Sequence, residues 1–207
     1  MISVSSGEFE VLHKNIGSLM TLNDNGHDEE ARLLCVVYID RLANWLQYPE
    51  KGSAQRFSRA LMKYGGNERL FSLILPKWLM KVLPWSSAPG GLKRAKVALA
   101  AAIASLSPDE MFPLDEFLNY VRPQLPAAQV TWLERDVWRG SIAYLVYRRV
   151  RVPGVHERGL NYDLSFVTTF RGDPIPPADF HNLHAALVSL AAHAKQVAET
   201  TGRVFRW

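Results

Sequence analysis

The stretch AQVTWLERDVWRGSIAYLVYRRVRVPGVHERG (residues 128–159) decides the fold that we predict for this chain. From Val130 to Val150 its apolar residues fall on nearly every face of a helix, a pattern typical of a buried helix. Seven charged residues from Glu134 to Arg151 exclude a membrane span. We therefore predict a buried central helix of about 20 residues, roughly 30 Å long, with other helices packed around it.

The end of this central helix is set by Pro153 and Gly154. Proline has no N–H group to donate, and its ring disfavours a helical conformation of the residue before it. The helix is therefore predicted to end or kink near Arg151, with His156 on or just past the break. An arginine in the last turn also stabilises the negative end of the helix dipole.

Arg151 and His156 are separated by four residues, in the sequence RVPGVH. The pattern follows Tyr144–Tyr147 and precedes Glu157, and it resembles the Arg-x4–6-His signature of the HEPN superfamily. The likeness extends loosely over residues 28–160. Members of that superfamily are small helical bundles, often dimeric, and many are metal-independent ribonucleases of bacterial toxin–antitoxin and defence systems. The resemblance thus implies a homodimer that acts on RNA, with a cognate protein partner.

The resemblance also implies a chemistry that uses no metal and no cofactor. RNA carries its own nucleophile, the 2′-hydroxyl group, beside the scissile phosphate. His156 would act as general acid or base, because an imidazole titrates near neutral pH. Arg151 would stabilise the charge of the phosphorane with its planar guanidinium group. Arg148, Arg149 and Arg158 would bind flanking phosphates as the substrate-binding residues.

A second interpretation is a non-catalytic helical module for regulation or protein interaction, in which Arg151 and His156 are structural. The two interpretations differ in what surrounds Arg151. A ribonuclease needs Arg151 and His156 in one accessible, positively charged cleft. A structural role predicts that Arg151 pairs with a carboxylate, and the candidates are Asp40, Asp136 and Glu157. Whether the protein is an endoribonuclease is therefore left open by the sequence.

The composition is that of an ordinary globular protein of 207 residues, with 48% hydrophobic and 21% charged residues. The net charge of +4 permits RNA binding without requiring it. The single cysteine, Cys35, excludes an internal disulfide and suits a reducing cytoplasm. Because it lies in an apolar run, we predict a buried, unreactive thiol. No signal peptide and no transmembrane segment are predicted, and no membrane partner is expected.

The whole chain, residues 1–207, is predicted to form a single domain. Residues 1–25 form an N-terminal arm or helix, since Phe9, Leu12, Ile16 and Leu19 recur at helical spacing. Residues 26–160 form the core of the helical bundle. Residues 161–207 form a strand–helix–strand element: a strand ending at Phe170, a packed last helix over 178–200, and a tail, 202–207, that pairs with the strand in a small C-terminal β-hairpin.

Two further clusters of polar residues have candidate roles. Cations are dense between residues 77 and 96, with Trp78 and Trp85 nearby. A solvated helix face is the favoured interpretation, and a nucleic-acid or partner surface is the alternative. His181 and His184 are neighbours on the last helix, but only Asp179 offers a further ligand close by in sequence. We therefore predict two surface histidines and no metal site.

Overall fold

The computed structural model describes residues 5–46, 52–66, 68–107, 109–151, 168–175 and 179–204. Most of these residues are helical, which confirms the predicted mainly α fold. They divide into two compact units. Unit 1 holds the described parts of Met1–Glu68, Val146–Leu164 and Ala178–Trp207, and unit 2 holds those of Arg69–Leu145 and Ser165–Pro177. The organisation as a single domain stays a prediction.

Unit 1 is a bundle of long helices. Its helices are α1 (Ser5–Asp24), α2 (Asp28–Trp45), α3 (Ser53–Tyr64) and α10 (Phe180–Thr201), and a π-helical turn over Tyr147–Arg151 packs against α2 and α3. Helix α1 buries Phe9, Leu12, Ile16 and Leu19, the four residues predicted to form its apolar face. Residues 5–24 therefore form a core helix that packs against α2 and α10.

The last helix, α10, is capped at both ends by the residues that flank it. At its start the Asp179 carboxylate accepts hydrogen bonds from the N–H groups of His181 and Asn182. At its end Gly202 adopts a left-handed conformation with φ of +68°, which glycine reaches at little cost. Between these caps an apolar stripe that includes Leu183, Leu187 and Leu190 is fully buried. The prediction of a packed last helix is confirmed.

Unit 2 is built from shorter helices connected by tight turns. Its helices are α4 (Glu68–Ser72), α5 (Pro76–Val82), α6 (Leu92–Ala102), α7 (Leu114–Val121), α8 (Ala127–Asp136) and α9 (Ile142–Val146), with 3-10 turns at Trp85–Ser87, Arg122–Gln124 and Val137–Gly140. A core cluster that includes Leu79, Leu99, Phe117 and Leu133 joins α5, α6, α7 and α8.

The long central helix predicted over 130–150 is wrong, because the α-helix ends at Asp136, a 3-10 turn follows over Val137–Gly140, and Ser141 then leaves the helical conformation. Ser141 is extended, with φ of −76° and ψ of 156°, and its hydroxyl oxygen accepts a hydrogen bond from the N–H group of Tyr144. Ile74, in the extended segment before Pro76, forms a bridge with Ser141. A Gly-Ser pair supplies both a close backbone approach and a helix cap, and these outweigh the apolar pattern on either side.

The predicted C-terminal hairpin between residues 164–170 and the tail is not confirmed. Strand β1 (Thr168–Phe170) pairs instead with β2 (Asp173–Ile175), antiparallel, across a tight turn. Of the tail, residues 202–204 are described, and they lie beside Trp45 of α2. The indole N–H group of Trp45 donates to the Val204 carbonyl at 3.1 Å, and the Arg203 guanidinium stacks over the Trp45 ring at 4.7 Å. These contacts hold the described part of the tail against α2.

In the described part of the chain we find no helix with the length and apolar character required to cross a membrane.

Candidate functional site

The π-helical turn Tyr147–Arg151 carries three of the five residues predicted to act on RNA. Arg148 and Arg149 are exposed, whereas Arg151 is largely buried. His156 and Arg158 lie outside the described residues, so the predicted pairing of Arg151 with His156 stays a prediction. The local geometry of the turn therefore centres on Arg151.

Arg151 forms an ion pair with Asp40 of α2. Both Nε and Nη2 of Arg151 donate to Oδ2 of Asp40, at 3.3 and 3.0 Å. The two side chains keep only 17% and 13% of their accessible surface. This is the pairing that the structural interpretation of Arg151 predicts. A largely buried guanidinium must be neutralised, because leaving it unpaired would cost several kcal/mol.

Tyr147 also contacts Arg151. Its ring lies under the Arg151 guanidinium, 5.5 Å from Cζ, an arrangement that favours a cation. The same ring packs against Phe57, and its hydroxyl group hydrogen-bonds to the hydroxyl of Ser53 at 2.9 Å. Asp40 on α2 and the first turns of α3 therefore fix the position of the π-helical turn.

The sequence contains a signal for this ion pair. Val36, Asp40 and Ala43 are spaced at i, i+4 and i+7, so Asp40 falls on the buried side of α2. A carboxylate there requires a cationic partner. The other carboxylate oxygen, Oδ1, is buried and has no hydrogen-bond partner in the described part of the chain. Asp40 is one of the three carboxylates that the sequence offers as partners of Arg151, and only the fold distinguishes among them.

Helix α3 adds positive charge beside the turn. It carries Arg56, Arg59 and Lys63 and contains no acidic residue. Nε of Arg56 donates to Oδ1 of Asn44 at 2.9 Å, which holds the arginine against α2. The turn and the helix that supports it therefore both present cations, and the Asp40 carboxylate is already engaged by Arg151.

The histidines of α10 do not gather into a metal site in the described part of the chain, where no three His, Cys, Asp or Glu side chains cluster. Nε2 of His184 hydrogen-bonds to the carbonyl oxygen of Ile16 at 3.1 Å. Because a carbonyl only accepts, this nitrogen carries the proton.

Cys35 is fully buried in α2, and burial raises the pKa of its thiol to about 12. At neutral pH the thiol is therefore not ionised, and a thiolate is the form that reacts. The predicted burial of this cysteine is confirmed.

His193 is expected to make stability depend on pH. Its ring stacks on Tyr64 at 3.7 Å, and burial, together with the charge of Lys63, lowers the pKa of its imidazole. The unfolded chain binds this proton more readily than the folded chain does, so stability should be full above about pH 6.5 and decrease below it. Between pH 8 and pH 5 the melting temperature should decrease less for His193→Phe than for the wild type, because phenylalanine keeps the stacking on Tyr64 and cannot titrate.

The matched control for this prediction is His181→Phe, which removes an exposed histidine from the same helix. Its pH dependence should match that of the wild type. An unchanged pH dependence in His193→Phe would show that the stacked imidazole does not contribute.

Comparison of the chain with protein-family models, with curated proteins and with solved structures found no match.

Proposed function

We propose that the protein binds RNA through the π-helical turn Tyr147–Arg151 and that Arg151 anchors this turn rather than taking part in catalysis. The observation that supports the proposal is the difference in exposure among the three arginines of the turn. Arg148 and Arg149 are exposed, while Arg151 is held by Asp40. Exposed arginines on a fixed turn suit phosphate groups, because each guanidinium presents a rigid fork of donors.

The ion pair with Asp40 disfavours a catalytic role for Arg151. A phosphate that approached its guanidinium would compete with a carboxylate 3.0 Å away and would meet a pair with no net charge. Stabilising a phosphorane requires donors that are free to bind the developing charge.

RNA binding is tested by fluorescence anisotropy with a labelled single-stranded RNA at several salt concentrations. Replacing both Arg148 and Arg149 with glutamine should weaken binding about tenfold, and it should reduce the slope of log K against log salt by about 1 to 2, because two phosphate contacts are lost. The control is Lys195→Gln, an exposed cation on α10, which should bind like the wild type. Equal affinity of the double variant and the wild type would refute the proposal.

Cleavage is tested separately by incubating mixed RNAs with the wild type and with His156→Ala in the presence of a chelator. We expect no cleavage in either sample beyond that of RNA alone. Cleavage by the wild type that is lost in His156→Ala would instead support the ribonuclease that the HEPN resemblance implies. Binding and cleavage are measured in separate experiments, so the result of one does not depend on the result of the other.

A further inference from the structure

A groove of about 510 Å³ within unit 2 is lined by residues of α5, by Lys96 of α6 and by residues of the segment 103–106, which follows α6. Its floor is formed by the aliphatic side chains of Met80, Ile103 and Leu106. All three are half-buried and pack on the core of unit 2 with one side, which leaves the other side facing the groove. The floor is therefore an apolar surface supported from below by a rigid core.

Three lysines surround this floor. Lys77 and Lys81 are one turn apart on α5, and Lys96 is on α6. Lys77 pairs with Asp109 at 3.0 Å, whereas Lys81 and Lys96 have no ion pair within the described ranges. Neither α5 nor α6 contains an acidic residue. The groove is thus apolar at its centre and cationic at its rim.

The spacing of the lining residues suits about two turns of a bound helix. Lys96 and Ile103 are seven residues apart, which corresponds to about 10 Å or two helical turns. An amphipathic helix would place two or three aliphatic anchors, at i, i+4 and i+7, on the floor. Carboxylates that flank those anchors would meet Lys81 and Lys96.

We propose that this groove is a docking site for an acidic amphipathic helix of a protein partner. An acidic helix is favoured over RNA because none of the described residues that line the groove is aromatic, and single-stranded nucleic acids stack their bases on aromatic side chains. Aliphatic side chains on an apolar floor and carboxylates beside lysines satisfy both parts of the groove at once. The proposal goes beyond RNA binding and does not depend on the role of Arg151.

The test is a phage-displayed library of 16-residue helical peptides, selected on the full-length protein. Enriched peptides are expected to combine Leu, Ile or Met at helical spacing with flanking Asp or Glu. Their synthetic versions should bind the double variant Lys81→Glu/Lys96→Glu at least about tenfold more weakly than the wild type, because two attractions become repulsions. The control is Lys93→Glu, which removes a cation of α6 outside the groove and should change the affinity less than about twofold.

Competition with a single-stranded RNA separates this proposal from the previous one. An excess of RNA should leave the peptide bound, and the double variant should bind RNA within about threefold of the wild type. Displacement of the peptide by RNA, enrichment of peptides without acidic residues, or equal peptide binding by both proteins would overturn the docking site. A failure of Arg148 and Arg149 to affect RNA affinity would refute only RNA binding through the π-helical turn.

Discussion

Replacing Asp40 with asparagine is expected to lower the free energy of unfolding by about 3 kcal/mol. The substitution preserves the size of the side chain and removes the carboxylate that pairs with Arg151, whose side chain keeps only 17% of its accessible surface. An uncompensated buried charge costs about 3 to 5 kcal/mol. Thermal denaturation followed by circular dichroism should show a midpoint about 6 to 12 °C lower.

A double variant shows whether the loss comes from the unpaired charge. Asp40→Leu with Arg151→Met replaces the ion pair by apolar side chains, and such replacements of buried pairs are often nearly neutral. We expect the double variant to be more stable than Asp40→Asn. Glu199→Gln, in the exposed Lys195–Glu199 pair, serves as a surface control and should change stability by less than about 0.5 kcal/mol. If Asp40→Asn melted like the wild type, the ion pair would not be an anchor.

Replacing Gly140 with alanine is expected to destabilise unit 2 by about 3 kcal/mol. A Cβ atom at this position would lie 2.8 Å from Cβ of Leu79 and 3.2 Å from Cγ2 of Ile74. The Cβ atom of Leu79 is attached to its backbone and cannot rotate away. The backbone of Gly140 is also fixed, because its carbonyl accepts a hydrogen bond from the N–H group of Leu75 at 3.0 Å. Overpacking of a fixed core costs about 1 to 3 kcal/mol or more.

The matched control is Gly17→Ala in α1, where an added Cβ would meet no atom within 4 Å. It should stabilise the protein by about 0.5 to 1 kcal/mol, because alanine loses less conformational freedom than glycine on helix formation. Urea titrations of both variants measure the two effects. A Gly140→Ala variant as stable as the wild type would show that the chain can move at this crossing without cost.

The sequence predicts helices well where one face is apolar and the ends are capped. Helix α1 has four apolar residues at helical spacing, and α10 has Asp179 before it and Gly202 after it. In both helices local propensity and burial favour the same conformation. Agreement between these two levels is the condition under which local patterns are reliable.

The sequence predicts secondary structure poorly where an apolar pattern continues without a break but the helical conformation of the backbone is interrupted. Residues 130–150 are apolar on all faces, and periodicity alone does not distinguish one buried helix from several short buried segments. The close approach of Gly140 to Leu79, which lies far away in the sequence, determines where the helix is interrupted. Such long-range packing is not encoded in any local window.

The candidate site was predictable in part. The density of arginine at 148–151 marks the turn, and the position of Asp40 on the buried side of α2 marks a carboxylate that requires a partner. Choosing Arg151 as that partner requires the tertiary fold. The groove between α5 and α6 shows the same limit, because the sequence reveals a cluster of lysines but not the aliphatic floor between them.

Unit 1 is assembled from three separate segments of the chain, and this affects how it can fold during synthesis. Its helices come from both ends of the chain and from the segment at 146, and α10 packs on α1, α2 and α3. The ribosome therefore translates all of unit 2 before it translates the last helix of unit 1. Until α10 has been made, the faces of α1, α2 and α3 that pack against it stay uncovered, and transiently exposed apolar surface of this kind favours aggregation.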